Sequence, residues 1–195
     1  MHPPPPLSPH EVAYRLARIA AVKEQTPIAI YGSFSRERKQ DLLLLRDYLR
    51  DPPLGYNARI SEDLDTAPPG KRSPVRDREA SELLIRESDI HIFVMPRRRR
   101  DEPDTLLQSV SMELERLNTL IECGVKRDQQ VAVFFERGLM ETAGWGFGSV
   151  CRGLLERQDE VWTIGEFRKT QDIFPDARSF CWQAVSVRNS ALLSR

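Results

Sequence analysis

Short apolar segments alternate with helical patterns along this 195-residue chain, and this alternation constrains the fold more than any other feature of the sequence. The clearest apolar segment, residues 89–95, is almost uninterrupted, as expected of a strand that is buried on both faces of a sheet. Strands that alternate with helices predict a parallel sheet with helices on both faces. We therefore expect a three-layer α/β fold with a central, mainly parallel five-stranded sheet. The predicted strands are residues 27–32, 55–60, 89–95, 130–135 and 161–164.

The first helix is predicted from a capping box. Ser8 can accept a hydrogen bond at the helix start, Pro9 suits the first helical position, and Glu11 can bond back to the backbone of the cap. Residues 1–7, which are rich in proline, are predicted to be a disordered tail that precedes a single α/β domain of residues 8–195. Apolar residues recur at helical spacing and give the first helix one apolar face; they are Val12, Leu16 and Ile19.

Helix starts and helix breakers also place the later helices. Residues 73–74 are another Ser-Pro pair that starts a helix, and the two prolines at 52–53 stop the helix before it. Asp104 is predicted to begin a long helix that Gly124 ends. The remaining predicted helices lie near residues 149–157 and 176–192.

The composition bounds the class of protein. The formal net charge is zero, with 29 basic and 29 acidic side chains, which argues against a nucleic-acid partner. No apolar run approaches the roughly 20 residues that span a bilayer, and the N-terminus lacks the pattern of a secretory signal, so we expect a cytoplasmic protein with no membrane contact.

His91 lies inside a predicted strand and is expected to be a core residue. We expect free thiols, no metal and no cofactor, because the cysteines form no CxxC pair and no ligand cluster with the histidines; they are Cys123, Cys151 and Cys181.

In a parallel sheet, the segments that follow the strands meet at one edge, and ligands bind there. The loop of Gly32, Ser33, Phe34, Ser35 and Arg36 follows the first predicted strand, and residues 32–35 could present backbone N–H groups and hydroxyls to a phosphate. The alternative is a tight turn that only caps the next helix. The arginine run that follows the third strand could hold phosphates, or it could be a solvated loop paired with neighbouring acids. The further candidates at this edge are Asp63, Asp65, Arg97 to Arg100 and Glu136.

The long helix carries a carboxylate on its apolar face. With Val110 at zero on a helical wheel of about 100° per residue, Glu113 falls at about −60°, inside the apolar face. Ser109 is its neighbour on the same edge, whereas Glu115 and Glu122 point outwards. A carboxylate buried there must be paired, or its pKa rises, and that combination is typical of a catalytic group. The alternative is that Glu113 lies at the rim and reaches water or an arginine.

Several segments of the chain together resemble a known superfamily. In order, they are a Gly-Ser loop after the first strand, then GYNARISEDLD, SDIHIFVM, SVSMELERL and QVAVFFE. Over residues 27–136 this order resembles the nucleoside 2-deoxyribosyltransferase superfamily and the related Toll/interleukin-receptor-type (TIR) NAD-cleaving domains. The resemblance implies a flavodoxin-like fold. It also implies a catalytic glutamate on the helix after the third strand, just before an apolar residue, and Glu113 with Leu114 matches that position.

The same resemblance implies roles for individual residues. Glu113 would attack the anomeric carbon of a sugar or stabilise an oxocarbenium ion while a base leaves. Asp63 or Asp65 would orient the ribose or assist proton transfer. Tyr31 or Phe34 would stack on a base.

Two functions of different classes follow from these observations. The first is an enzyme that cleaves or transfers an N-glycosidic bond in a nucleoside, nucleotide or NAD-like compound, with Glu113 as the catalytic carboxylate. The alternative is a non-catalytic nucleotide-sensing or protein-interaction domain on the same fold, with residues 97–100 and the Gly-Ser loop on the phosphates. A nucleotide or nucleoside-like small molecule is the expected partner in both cases, and the sequence leaves a homo-oligomer open.

Overall fold

The computed structural model describes residues 8–34, 36–65, 73–97, 107–139, 153 and 162–193. Its strands are β1 (Pro27–Tyr31), β2 (Asn57–Arg59), β3 (Ile90–Met95), β4 (Gln130–Glu136) and β5 (Trp162–Phe167). They form one sheet in the order β2-β1-β3-β4-β5, and each neighbouring pair is parallel. The predicted three-layer α/β fold with a central parallel sheet of five strands is confirmed.

The described helices are α1 (Pro9–Gln25), α2 (Arg36–Arg50), α3 (Pro74–Glu87), α4 (Gln108–Glu122) and α5 (Ile173–Leu193). The predicted capping box of α1 is confirmed, because the Ser8 hydroxyl accepts from the Glu11 backbone N–H and the Glu11 carboxylate accepts from the Ser8 backbone N–H. The predicted end of α4 is also confirmed. Gly124 follows it with a φ of 68°, the left-handed conformation that commonly ends a helix.

Two elements near the C-terminus are longer than predicted. β5 continues to Phe167, because Gly165 and Glu166 keep pairing with β4 although they break the apolar pattern of the sequence. α5 begins at Ile173, since a 3-10 turn at Thr170–Asp172 leads directly into it.

The start of α4 differs from the prediction as well. The described helix begins at Gln108, and the predicted start at Asp104 lies outside the described residues. The predicted tail of residues 1–7 also lies outside them. Of the predicted helix near residues 149–157 only Gly153 is described, and it is helical.

Alternate residues of β1 enter two separate cores. Ile28 and Ile30 pack with α2 and α5 on one face of the sheet, whereas Ala29 and Tyr31 pack with α3 and α4 on the other. His91 is completely buried, as predicted for a core histidine. The two faces together account for the uninterrupted apolar character of the central strands.

The apolar face predicted for α1 is largely exposed. Val12 is 41% exposed and Leu16 is 62% exposed, and α1 has no buried residue. The reason is that the C-terminal half of the helix contacts the rest of the domain. Val22 packs against the core while partly buried, and the Lys23 ammonium donates to Leu54 O at 2.8 Å. Among the described residues no helix has the length and apolar character needed to cross a membrane.

The strand order places a switch of direction between β1 and β3. From β1 the chain crosses through α2 to β2 on one side, and from β3 it crosses through α4 to β4 on the other side. In open α/β sheets the crevice at such a switch, beyond the carboxyl ends of the strands, is the usual ligand position. In this chain the residues next to the switch are Tyr31, Gly32 and Met95.

Candidate functional site

The carboxylate of Glu113 points inwards, between α4 and α3. One oxygen, Oε1, accepts a hydrogen bond from the Ser81 hydroxyl of α3. The other oxygen, Oε2, is buried and has no hydrogen-bond partner among the residues that the structure describes. The residue as a whole is half-buried, so its stem reaches the surface while its charged end does not. On the same helix Glu115 and Glu122 are exposed, as predicted.

The surroundings of Glu113 change its acidity. Burial raises its pKa from the ordinary value of 4.5 to about 7, and the hydrogen bond from Ser81 opposes this rise. Near neutral pH the group therefore exists in both protonated and ionised forms. A carboxyl group in that condition can serve as a nucleophile, a base or an acid, depending on what faces it.

Tyr31, at the end of β1, lies in the same core. Its ring stacks on Phe93 with a centroid distance of 4.4 Å, and its hydroxyl lies 3.1 Å from Nδ1 of His91. Burial, together with the nearby charge of Glu113, raises the pKa of Tyr31 well above its ordinary value. Tyr31 is thus an internal residue, and its predicted stacking on a base stays a prediction.

The Gly-Ser loop after β1 is tightly packed. A Cβ on Gly32 would lie 2.7 Å from Leu42 Cδ2 and 3.1 Å from the carbonyl oxygen of Val94, so this glycine is explained by the close approach of α2 and β3. Ser33 is buried, and Phe34 packs partly against the core under α2. Arg36 is the first residue of α2. The predicted role of these residues in ligand binding stays a prediction.

A buried arginine joins three elements at the carboxyl edge of the sheet. Arg38 of α2 lies 3.3 Å from the Glu136 carboxylate at the end of β4, and it donates to Arg97 O at 2.9 Å. Arg97, which follows β3, donates its own backbone N–H to the same carboxylate at 2.8 Å. Arg38 is the member of this cluster that sequence reasoning missed, because its partner Glu136 is 98 residues away in the chain. Of the arginine run only Arg97 is described, and it is exposed.

Asp63 is held by α2. Its two oxygens accept from Arg46 at 2.9 Å and from Arg50 at 2.8 Å, and one of them also accepts from the backbone N–H of Ile60. These contacts anchor the connection after β2 to α2. Asp65 is partly buried in the same connection. The predicted catalytic role of Asp63 stays a prediction, and its contacts are those of an anchoring residue.

The neighbour of Glu113 is not the serine that the helical wheel indicated. Ser109 is exposed at the start of α4, and the hydroxyl beside the carboxylate belongs to Ser81. Ser81 and Glu113 are 32 residues apart on different helices, so no pattern within α4 could reveal this contact. The sequence predicted helices on both faces of the sheet, but it did not predict which helices are neighbours.

The comparisons with known proteins give no family for this chain. No protein-family model matches the sequence, and no curated protein is significantly similar to it. Within the described part of the chain, no group of three or more histidine, cysteine, aspartate or glutamate side chains is arranged to hold a metal ion.

Proposed function

We propose that this protein cleaves or transfers an N-glycosidic bond of a nucleoside, nucleotide or NAD-like substrate, with Glu113 as the reacting carboxylate. The observation that carries the proposal is the buried Glu113 carboxylate, which has one oxygen without a hydrogen-bond partner among the described residues. A carboxylate oxygen that lacks hydrogen bonds is poorly stabilised as an anion, and it therefore gains more than a solvated one from contact with developing positive charge.

The chemistry suits such a group. When an N-glycosidic bond breaks, its electron pair leaves with the base and positive charge develops on the anomeric carbon. Ionised Glu113 would bond to that carbon or stabilise its charge, and water or a second base would then take its place. With a pKa of about 7, Glu113 is ionised in a large fraction of molecules near neutral pH.

Three further observations support this reading. The strand order is the flavodoxin-like one, whose ligand crevice lies between the carboxyl ends of β1 and β3. The sequence of residues 27–136 resembles two superfamilies that use a glutamate on the corresponding helix. In addition, the charge of Glu113 contributes to the raised pKa of Tyr31, which ends β1.

The direct test is the variant Glu113→Gln, compared with Glu115→Gln. Ribonucleosides, 2-deoxyribonucleosides and NAD are incubated with each protein, and released base or nicotinamide is measured by chromatography. We expect Glu113→Gln to lose activity by about a thousandfold or more, since the reacting group itself is removed. Glu115→Gln keeps the wild-type rate, because Glu115 is exposed on the same helix. Equal rates for wild type and Glu113→Gln would refute the proposal.

The alternative function is a domain that binds a nucleotide without cleaving it. The observation in its favour is the cluster of Arg38, Arg97 and Glu136 at the carboxyl edge, which joins α2 to the ends of β3 and β4 next to the switch between β1 and β3. Nucleotides that bind in equilibrium dialysis and are recovered intact after long incubation would favour this alternative over cleavage.

A further inference from the structure

Ser81 and Glu113 lie on two apolar helix faces that pack into one core. On α3, Ser81 precedes Leu84 by three residues and Ile85 by four, and both of these are buried. On α4, Glu113 follows the buried Val110 by three residues. The three apolar residues belong to the same core on one face of the sheet. Residues three or four apart share one face of a helix, so both polar side chains lie at the contact between α3 and α4.

An ion pair joins the same two helices beside this contact. Arg116, almost one helical turn after Glu113, places Nη1 3.2 Å from Oε1 of Glu82, the residue that follows Ser81. The same oxygen of Glu82 accepts from Arg78 at 3.0 Å. These partly exposed charges are engaged with one another. Among the described residues, the polar group that contacts the Glu113 carboxylate is therefore the Ser81 hydroxyl.

The two oxygens of Glu113 have different surroundings. Oε1 accepts from the Ser81 hydroxyl, whereas Oε2 is buried and has no hydrogen-bond partner in the described part of the chain. The terminal torsion of a glutamate side chain is broad when nothing restrains it. The hydrogen bond from Ser81 supplies that restraint, since the two oxygens cannot exchange places without breaking it.

The same contact decides which oxygen carries the proton when Glu113 is protonated. A serine hydroxyl can donate to an ionised carboxylate and can accept from a protonated one. On Oε1 the proton has the Ser81 oxygen as its acceptor, while on Oε2 it would be a buried donor with no acceptor among the described residues, which costs free energy. Ser81 is partly exposed, so its own hydrogen can then turn to water. Oε2 therefore keeps its lone pairs free in both forms.

We infer that Ser81 is a positioning residue, which holds Oε1 of Glu113 so that Oε2 is the oxygen that bonds to or stabilises the anomeric carbon. This role rests on the proposed function, whereas the hydrogen bond does not. Burial raises the pKa of Glu113 and the bond from Ser81 lowers it, so Ser81 also keeps more of the carboxylate ionised near neutral pH. Tyr31 of β1 is a further titratable group in this core, and burial together with the charge of Glu113 raises its pKa.

The first test examines Glu113 without a substrate. Carbon-13 NMR of labelled glutamate gives the pKa of Glu113 in the wild type, Ser81→Ala and Ser81→Thr. We expect Ser81→Ala to raise that pKa by about one unit, since a hydrogen bond to the charged form is lost, and Ser81→Thr to keep it near the wild-type value. The control Ser111→Ala, whose lost hydroxyl donated to Leu107 O within α4, leaves it unchanged. An unchanged pKa in Ser81→Ala would overturn the inference.

The second test measures the release of base or nicotinamide by the same variants. We expect Ser81→Ala to lower kcat about tenfold at pH 7 and to leave KM within about twofold, because positioning acts on the reacting group and not on substrate binding. Ser81→Thr recovers most of the activity. At pH 9 the carboxylate is largely ionised in every variant, so the loss that remains there reports positioning. A loss that vanishes at pH 9 would show that Ser81 acts only on the charge of Glu113, against the inference.

The two tests separate a failure of this inference from a failure of the proposed function. If the wild type releases no base, the proposed function fails and the positioning role fails with it, while NMR still decides whether Ser81 holds the carboxylate. If release requires Glu113 but Ser81→Ala keeps the wild-type kcat, the inference alone is wrong. Equal losses in Ser81→Ala and Ser81→Thr would also refute it, because the hydroxyl would then have no part in the effect.

Discussion

At the residue scale, Glu113 makes the stability of the protein depend on pH. Its folded pKa of about 7 lies above the ordinary 4.5, so the folded protein holds the proton more tightly than the unfolded chain does. Below pH 4.5 both states are protonated and the full stability is present. Between pH 4.5 and pH 7, Glu113 ionises in the unfolded chain before it ionises in the folded protein. Above pH 7 the free energy of unfolding is therefore lower by about 3 kcal/mol.

The variant Glu113→Gln should remove this dependence. We expect the free energy of unfolding of the wild type to fall by about 2 kcal/mol more than that of Glu113→Gln between pH 5 and pH 8. Chemical denaturation at the two pH values measures the difference. The matched variant Glu115→Gln should follow the wild type, because Glu115 is exposed. Parallel pH profiles for wild type and Glu113→Gln would show that the carboxylate ionises in the folded state as easily as in water.

Local patterns were sufficient to predict the inward position of Glu113 but not its partner. A helical period of about 3.6 residues relates Glu113 to Val110 and Leu114 on one helix, and such spacing can be read directly from the sequence. The Ser81 hydroxyl that contacts Glu113 comes from another helix. This contact depends on how the helices pack on the sheet, which no period within one segment specifies.

At the element scale, Gly32 shows how closely the end of β1 approaches its neighbours. We expect Gly32→Ala to lower the free energy of unfolding by about 1–3 kcal/mol, because the new methyl group would overlap Leu42 and crowd the backbone at Val94. Thermal or urea denaturation measures the loss. Gly153→Ala is the control, since a Cβ there meets nothing within 4 Å. A Gly32→Ala protein as stable as the control would mean that α2 shifts without cost.

Element ends were predicted where their signals are local. Ser8 and Glu11 are three residues apart and both bonds of the capping box form, so the start of α1 needed no tertiary information. The end of β5 is different. Gly165 and Glu166 do not resemble a strand, and they remain in the sheet because the β4 backbone pairs with them.

At the scale of the whole molecule, the Arg38–Glu136 pair connects α2 to the end of β4. We expect Arg38→Met to destabilise the protein by about 2 kcal/mol, since the Glu136 carboxylate loses its cation in a partly buried position. Adding Glu136→Gln should recover part of that loss, because glutamine can still accept from Arg97 N. A double-mutant cycle measures the coupling. Strictly additive effects would show that the pair contributes nothing jointly.

The sheet itself was predictable because its strands are apolar and alternate with helices. The cluster of Arg38, Arg97 and Glu136 was not predictable in this way, although Glu136 was expected at the carboxyl edge of the sheet. Arg38 looked like one of several charged residues in the first turns of a helix, and only the folded chain brings it to Glu136 and Arg97. Pairing between residues that are far apart in sequence is where prediction from local pattern stops.

The brevity of β2 has a consequence for the protein at high concentration. This strand is three residues long and lies at the outer edge of the sheet, where Asn57 donates to Glu24 O and Arg59 donates to Asn57. An edge so short and so polar exposes few unpaired backbone groups to a second molecule. Along that border the fold therefore discourages strand-to-strand aggregation between copies.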